Sequence, residues 1–277
     1  MTLNHVRSGS GEPLLLIHGI GHSHRAWVPV TDGLVENGFD VVAIDAPGFG
    51  ESDPLPPGTR PNVAALAVAI AAFCDELGWE QPHIAGNSMG GALALELAKM
   101  GRASSATGLS PAGFWNHREL RFCQASLGAS YRLIRGAGGT LDALADHASA
   151  RGMLAGQLMA RPWRMPPDEM RHTLHGLAGS EAFPATLEAF DDLVPPTQAE
   201  VAGVSVTIAW AARDRLLLPR QAHRARMRYP SGHHVLLRGV GHVPTWDDPE
   251  LVVRTIATGA RTPRPTAQAA AGTGPNA

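Results

Sequence analysis

Ser88 is the residue whose surroundings most clearly prepare it for chemistry. It lies in Gly86-Asn87-Ser88-Met89-Gly90-Gly91, directly after the short apolar run 83–85 and directly before the helical run 92–98. A Gly-x-Ser-x-Gly between a strand and a helix forms a nucleophile elbow. The turn is so tight that the serine takes a strained backbone conformation, and only glycines two residues before and after it let neighbouring chains approach. A hydroxyl exposed in this way attacks an electrophilic carbon once a base takes its proton. The helix N-terminus behind it supplies partial positive charge and free N–H groups where negative charge develops on the substrate oxygen, so Met89 N–H is one expected oxyanion donor.

The elbow and its context resemble the α/β-hydrolase superfamily, in its serine-nucleophile branch of esterases and meta-cleavage-product hydrolases. The likeness runs over nearly the whole chain apart from an inserted middle segment and the tail, and three further stretches carry it. His18-Gly19-Ile20-Gly21 follows the apolar run 14–17 and resembles the superfamily's His-Gly-x oxyanion loop. The resemblance implies that Ile20 N–H completes the oxyanion hole, with Gly21 as the alternative. Asp45-Ala46-Pro47-Gly48-Phe49-Gly50-Glu51-Ser52 resembles the superfamily's Asp-x-Pro-Gly-x-Gly-x-Ser loop. Pro and Gly fix a tight turn there, and Asp45 is expected to anchor it by hydrogen bonds rather than to act in catalysis.

The third stretch is the C-terminal pair of elements. Ala211-Ala212-Arg213-Asp214 follows the β-branched run 204–210, at the strand end where the superfamily carries its acid, which implies Asp214. Gly239-Val240-Gly241-His242-Val243-Pro244 follows a strand at 235–237 and matches the superfamily's Gly-His pattern, which singles out His242 among thirteen histidines. Asp191 and Asp192 fall inside the inserted segment and Asp247 and Asp248 follow the histidine, so neither pair fits the chain order serine, acid, histidine. With these roles His242 takes the proton of Ser88, Asp214 holds the imidazole in the useful tautomer, and water cleaves the resulting acyl-enzyme. A serine at the elbow excludes the chemistry of relatives that need aspartate there, the epoxide hydrolases and haloalkane dehalogenases. His22 and His24, near the oxyanion loop, are expected to face solvent.

These residues need a scaffold, and the patterning describes one. Short β-rich runs at 14–17, 41–44, 83–85 and 106–109 alternate with helical patterns at 26–37, 62–77 and 89–99. Strand–helix repetition of this kind predicts an α/β fold with a mostly parallel sheet covered by helices on both faces. Asn62 is the expected N-cap of one helix, and Gly78 and Gly101 the expected stops of two. The alternation breaks after 109 and resumes at 204–210 and 234–237. The α/β-hydrolase core is therefore assigned to 1–112 and 197–260, and 113–196 to a helical cap over the carboxyl end of the sheet. Prolines at 162, 166, 167, 184, 195 and 196 are expected to punctuate its short helices. Residues 261–277, rich in Pro, Ala, Gly and Thr, are expected to form a disordered tail.

Composition narrows the function classes. Net charge is −2 with no basic stripe, which argues against nucleic acid and anionic membrane surfaces and for a small-molecule substrate. The most apolar helical stretch, 63–74, falls far short of the roughly 20 residues that span a bilayer. No charged start followed by an apolar run opens the chain, so a cytoplasmic location is expected. Two cysteines without metal-ligand spacing and a single lysine, Lys99, leave little for disulfide, zinc-thiolate, Schiff-base or P-loop chemistry, and no cofactor is required.

The expected activity is cleavage of a small or medium carboxylic-ester-like substrate. Two alternatives stay open: a C–C bond hydrolase of the meta-cleavage-product type, and a non-catalytic ligand-binding receptor on the same fold. The glycine- and proline-rich stretch usual after His-Gly in the C–C hydrolases is replaced here by Ile20-Gly21-His22-Ser23. Trp115, Trp163, Phe183 and Met159 are candidates for an acyl pocket, and Arg118 and Arg121 for a substrate carboxylate.

Overall fold

The apolar runs are buried on both sides, and alternate residues along each serve different layers. The computed structural model describes residues 1–138 and 140–263. Among them, seven strands, β1 His5–Ser8, β2 Glu12–Ile17, β3 Phe39–Ile44, β4 His83–Asn87, β5 Ser105–Leu109, β6 Ser205–Ala211 and β7 His233–Leu237, form one sheet. Their order is β1-β3-β2-β4-β5-β6-β7. Only β1 is antiparallel, pairing His5 with Ile44 of β3, and this exposed polar edge strand has no strong apolar pattern in the sequence.

Side chains of Leu15, Ile17, Val42, Ile44, Ile84, Val206 and Ile208 pack on one face against α2 Val63–Glu76 and α3 Met89–Lys99. Leu14, Leu16, Val41, Ala43, Ala85 and Leu237 pack on the other against α1 Val28–Glu36 and α10 Pro249–Arg261. The period of two along each strand thus feeds both layers, as a sheet covered on two faces requires. Asn62 caps α2, its Oδ1 accepting the Ala65 N–H at 2.9 Å.

Between β5 and β6 the chain forms α4 His117–Ala137, α5 Thr140–Ala145, α6 Ala148–Ala155, α7 Pro167–Gly179 and α8 Phe183–Glu188, and α9 Gln221–Arg228 then joins β6 to β7. Pro162, Pro167 and Pro184 stand in the first turns of their helical segments, where a missing N–H leaves no acceptor unserved. The helices are not all short. The α4 helix runs 21 residues, its buried Leu120, Cys123, Leu127, Tyr131 and Ile134 recurring at helical spacing. A separate small core of Ile134, Met159, Met165, Met170 and Leu174 holds the insertion together.

At the C-terminus, α10 runs through Arg261, one residue beyond the expected core limit, because Arg261 donates to Asn37 O at 2.6 Å. The rest of the expected tail lies, from 264 on, outside the described residues. Among the described residues no helix is long and apolar enough to cross a membrane.

Strand order reverses direction between β2 and β4, since β3 lies to one side of β2 and β5 to β7 extend beyond β4. Ile17 and Gly86 are paired across this junction, so the loop after β2 and the turn after β4 leave the sheet side by side. In open α/β sheets such a reversal opens a crevice at the strand carboxyl ends.

Candidate active site

β4 ends at Asn87 and α3 begins at Met89, which leaves Ser88 alone to make the turn. Its backbone sits at φ 58° and ψ −116°, a conformation that an L-residue adopts only when its surroundings impose it. Ser88 N donates to Leu109 O at 3.0 Å, while Ser88 O accepts from Ala92 N and Ala112 N. The flanking glycines are a steric necessity. A Cβ on Gly86 would stand 2.1 Å from Gly90 O, and one on Gly90 would stand 1.9 Å from Ile17 O.

His242 follows β7 in a buried loop, and its Nδ1 lies 2.7 Å from Asp214 Oδ2. The other oxygen of Asp214 accepts the N–H groups of Leu216 at 2.9 Å and Leu217 at 2.7 Å, so the carboxylate is fixed by three partners. With Nδ1 assigned as the donor to Asp214, Nε2 of the neutral ring is a proton acceptor. The structure therefore brings Asp214 and His242 into direct contact, and His242 and Ser88 into one cavity.

Two residues that position this pair were not singled out by sequence reasoning. Asn87 Nδ2 donates to His242 O at 2.8 Å and to Leu109 O at 3.0 Å, tying the elbow to the histidine loop. Asp247, fully buried, accepts Gly241 N at 2.7 Å, Ala160 N at 2.8 Å and Arg161 N at 2.6 Å. Sequence order set it aside as an acid, and its actual task is to join the histidine loop to the helical insertion. A polar residue inside an otherwise glycine-flanked elbow was the available signal for Asn87.

In the loop after β2, buried His18 accepts from Ala46 N at 2.9 Å through Nε2 and lies 2.7 Å from Gly19 O through Nδ1, the proton-bearing nitrogen in this arrangement. Burial holds its basicity below that of an ordinary histidine. Ile20 lines the cavity with Ser88, and among the described residues neither Ile20 N–H nor Met89 N–H has a protein acceptor. Asp45 is an anchor, as expected: it accepts from His24 N at 2.6 Å, Asn4 Nδ2 at 2.8 Å and Glu51 N at 2.9 Å, and its Oδ1 lies 2.9 Å from His24 Nδ1. Burial by itself would raise its pKa, but the bonds from His24, Asn4 and Glu51 hold the carboxyl far below the usual range. His22 and His24 are half-buried rather than solvent-facing, because the insertion packs over them. Burial and the neighbouring His18 push the His22 ring down to about 4.

The cavity has a volume of about 100 Å³ and reaches from Ser88 and His242 to the insertion. Its apolar walls are Ile20, Leu127, Ile134, Leu158, Leu177 and Phe183, and no Arg, Lys, Asp or Glu side chain among the described residues lines it. Of the expected pocket residues only Phe183 does so. Trp115 packs against Phe190, Met159 belongs to the insertion's own core, and Trp163 is exposed. Arg118 and Arg121 lie on the exposed face of α4, away from the cavity. Among the described residues no cluster of three metal-ligating side chains occurs.

Comparison with known proteins agrees with this architecture. Residues 14–255 match the model of the alpha/beta hydrolase family. The epoxide hydrolase EphH of Mycobacterium tuberculosis is 32% identical over 205 residues, covering 70% of this chain and 93% of that protein. A 2-hydroxy-6-oxononadienedioate/2-hydroxy-6-oxononatrienedioate hydrolase of a Pseudomonas species is 37% identical over 95 residues, 33% of each chain. A thermophilic esterase of Thermogutta terrifontis has the same fold at a TM-score of 0.73 and 20% identity, with 94% of this chain and 93% of that one covered. A family match that spans both the sheet and the insertion, on a chain whose reversal point carries the serine turn, establishes that the protein belongs to the α/β-hydrolase family.

Proposed function

We propose that this hydrolase is a serine esterase acting on small, uncharged carboxylic esters, with Ser88 as nucleophile, His242 as base and Asp214 as the group that orients His242. One observation carries the reading: Ser88, alone on its turn, shares a small apolar cavity with a histidine whose far nitrogen is bonded to a buried carboxylate. In this mechanism His242 Nε2 takes the Ser88 proton as Oγ attacks the ester carbonyl. The N–H groups of Ile20 and Met89 receive the oxyanion. His242 then protonates the departing alcohol, and water, activated by the same nitrogen, releases the acid from Ser88. The helices 117–192 act as a cap whose apolar side chains select the acyl group.

The relative named as an epoxide hydrolase raises a second reading, which the elbow chemistry opposes. A serine opening an epoxide would be left as a stable alkyl ether that water does not cleave, and no carboxylate lines the cavity to take its place. Likeness to a C–C hydrolase of a dicarboxylate raises a third. Binding such an anion calls for a cationic partner, and the cavity walls hold none. Labelling with a fluorophosphonate probe tests the proposal. The wild-type chain is expected to be labelled and to hydrolyse p-nitrophenyl esters, and Ser88→Ala to do neither. An unlabelled wild type would overturn it.

A further inference from the structure

A second cavity, about 210 Å³, adjoins the one at Ser88 and differs from it in character. Gly21, His22 and Thr173 line both, so these three residues form the partition between them. Beyond the partition the wall includes titratable residues that the first cavity lacks: His24, Arg25, Asp45, Glu51, His172 and His175. Arg25 is paired with Glu169 and His24 with Asp45, and with Glu51 also in the wall the vestibule holds more carboxylates than guanidinium groups.

His22 is built to act across that partition. Its Nδ1 accepts the Ser23 N–H at 2.9 Å, which leaves the proton on Nε2. Among the described residues no protein group accepts from Nε2–H. The backbone is fixed as well, His22 N donating to Gly19 O at 3.2 Å in the same turn that presents Ile20. A half-buried donor without a protein acceptor, shared between two cavities, is satisfied only by water or by something bound there.

The order of bond changes decides which part of the substrate meets it. Ser88 Oγ bonds to the carbonyl carbon, the bond from that carbon to the alkoxy oxygen breaks, and the Ser88 proton passes through His242 to that oxygen. The acyl group stays attached while the alcohol departs and water enters. An acyl chain in the apolar cavity and an alcohol on the vestibule side lets the alcohol leave without passing the acyl-enzyme. We infer that the vestibule receives the alcohol portion of the substrate, and that His22 Nε2–H selects alcohols carrying a further hydroxyl or ether oxygen. His22 is in this account a specificity residue and takes no part in proton transfer.

The inference rests on the ester reading, and its test separates the two. Wild type, His22→Leu and His22→Gln are assayed on two series: butyrate esters of ethanol, propanol, ethylene glycol and glycerol, and ethyl esters of graded acyl length. Wild type is expected to favour the hydroxylated alcohols over alkyl alcohols of matched size by roughly tenfold in kcat/KM, mostly through KM, the scale of one hydrogen bond to a bound hydroxyl. His22→Leu should abolish that preference, and His22→Gln, which keeps an N–H donor, should retain it. Relative preference along the acyl series should be the same in all three. A preference that survives in His22→Leu, or that shifts equally in the acyl series, overturns the assignment of His22. Ester turnover by wild type without any alcohol preference overturns the inference alone, and no ester turnover at all overturns the ester reading and this inference with it.

Discussion

Ser88 was identifiable because its constraint is local: a glycine on either side, a strand before and a helix after, all within one short stretch of sequence. Asn87, one position away, acts through carbonyls 22 and 155 residues distant, and no local pattern announces such contacts. Asn87→Ala would leave His242 O and Leu109 O without their donor and free the histidine loop to shift. We expect kcat to fall roughly ten- to hundredfold, as small displacements of catalytic groups do, with KM and circular dichroism little changed. An unaltered kcat would show that the loop is held without it. Buried His18 and half-buried His22 make a second prediction at this scale, one of stability. The His22 ring stays neutral in the folded chain down to about pH 4, whereas in the unfolded chain it titrates near 6.5. Between those values the unfolded state binds more protons, so stability is complete above about 6.5 and falls as pH is lowered towards 4. His18, also lowered by burial, acts in the same direction. The lowered pKa of Asp45 extends the loss to more acid pH, below the ordinary carboxylate range. His22→Gln should therefore flatten the profile of Tm against pH between about 6.5 and 4. Parallel profiles for the two proteins would refute a ring held neutral in the folded chain.

Elements came through the sequence unevenly, and for physical reasons. The inner strands β2 to β6 have buried apolar centres and α1 to α3 alternate with them at regular intervals, with Asn62 capping α2, so these elements follow directly from patterning, while the edge strand β7 shows itself only through 235–237. β1 is exposed at the sheet edge with only its ladder to β3, and it leaves little apolar signal. The insertion was recognisable as an interruption, but which of its side chains face Ser88 depends on tertiary packing, and of four aromatic or methionine candidates only Phe183 reaches the cavity. Two contacts near the cavity help set where the insertion sits. Gly21, at φ 76°, faces Leu177 and Phe183 so closely that a Cβ would lie 2.7 Å from the Leu177 side chain. Gly21→Ala is expected to cost about 1–3 kcal/mol through overpacking and a disfavoured φ, and to lower kcat/KM by displacing the adjacent Ile20 N–H. Asp247 clamps the other side. Replacing it with Asn exchanges a carboxylate that accepts three backbone N–H groups for an amide with one accepting oxygen, at about 2–4 kcal/mol. Thermal unfolding checks both variants. A Tm within one degree of wild type for Asp247→Asn would show that the clamp contributes nothing.

At the scale of the whole molecule, the site exists because four separate parts of the chain converge at the carboxyl end of the sheet, about the point where strand order reverses. The serine turn and the loop after β2 leave neighbouring strands there, and Asp214 and His242 arrive from β6 and β7, the last two strands of the sheet. The insertion supplies Leu127, Ile134, Leu158, Leu177 and Phe183 to the wall of the Ser88 cavity. Beyond the covalent connections, one of its firmest ties is Glu119, in the first turn of α4. This carboxylate is 3% exposed, accepts the Asn116 N–H in a capping box, and is paired with both Arg220, at the N-terminus of α9, and Arg224 within it. Desolvation opposes its charge, but Asn116 and the two arginines outweigh that and hold its pKa below the ordinary glutamate value. Glu119→Gln removes the charge and leaves two guanidinium groups facing a neutral amide. Both arginines reach solvent, so the loss should fall below that of a fully buried pair, at about 2–3 kcal/mol. None of these groups touches the Ser88 cavity. If the insertion is a cap that must be seated for ester binding, Glu119→Gln should raise KM for esters more than it lowers the kcat of bound substrate. It should also speed proteolysis within 117–192 under native conditions. Equal loss of stability with unchanged KM and unchanged proteolysis would mean that the ion pairs support the fold as a whole, and that the seating of the insertion depends on Asp247 and Gly21 instead.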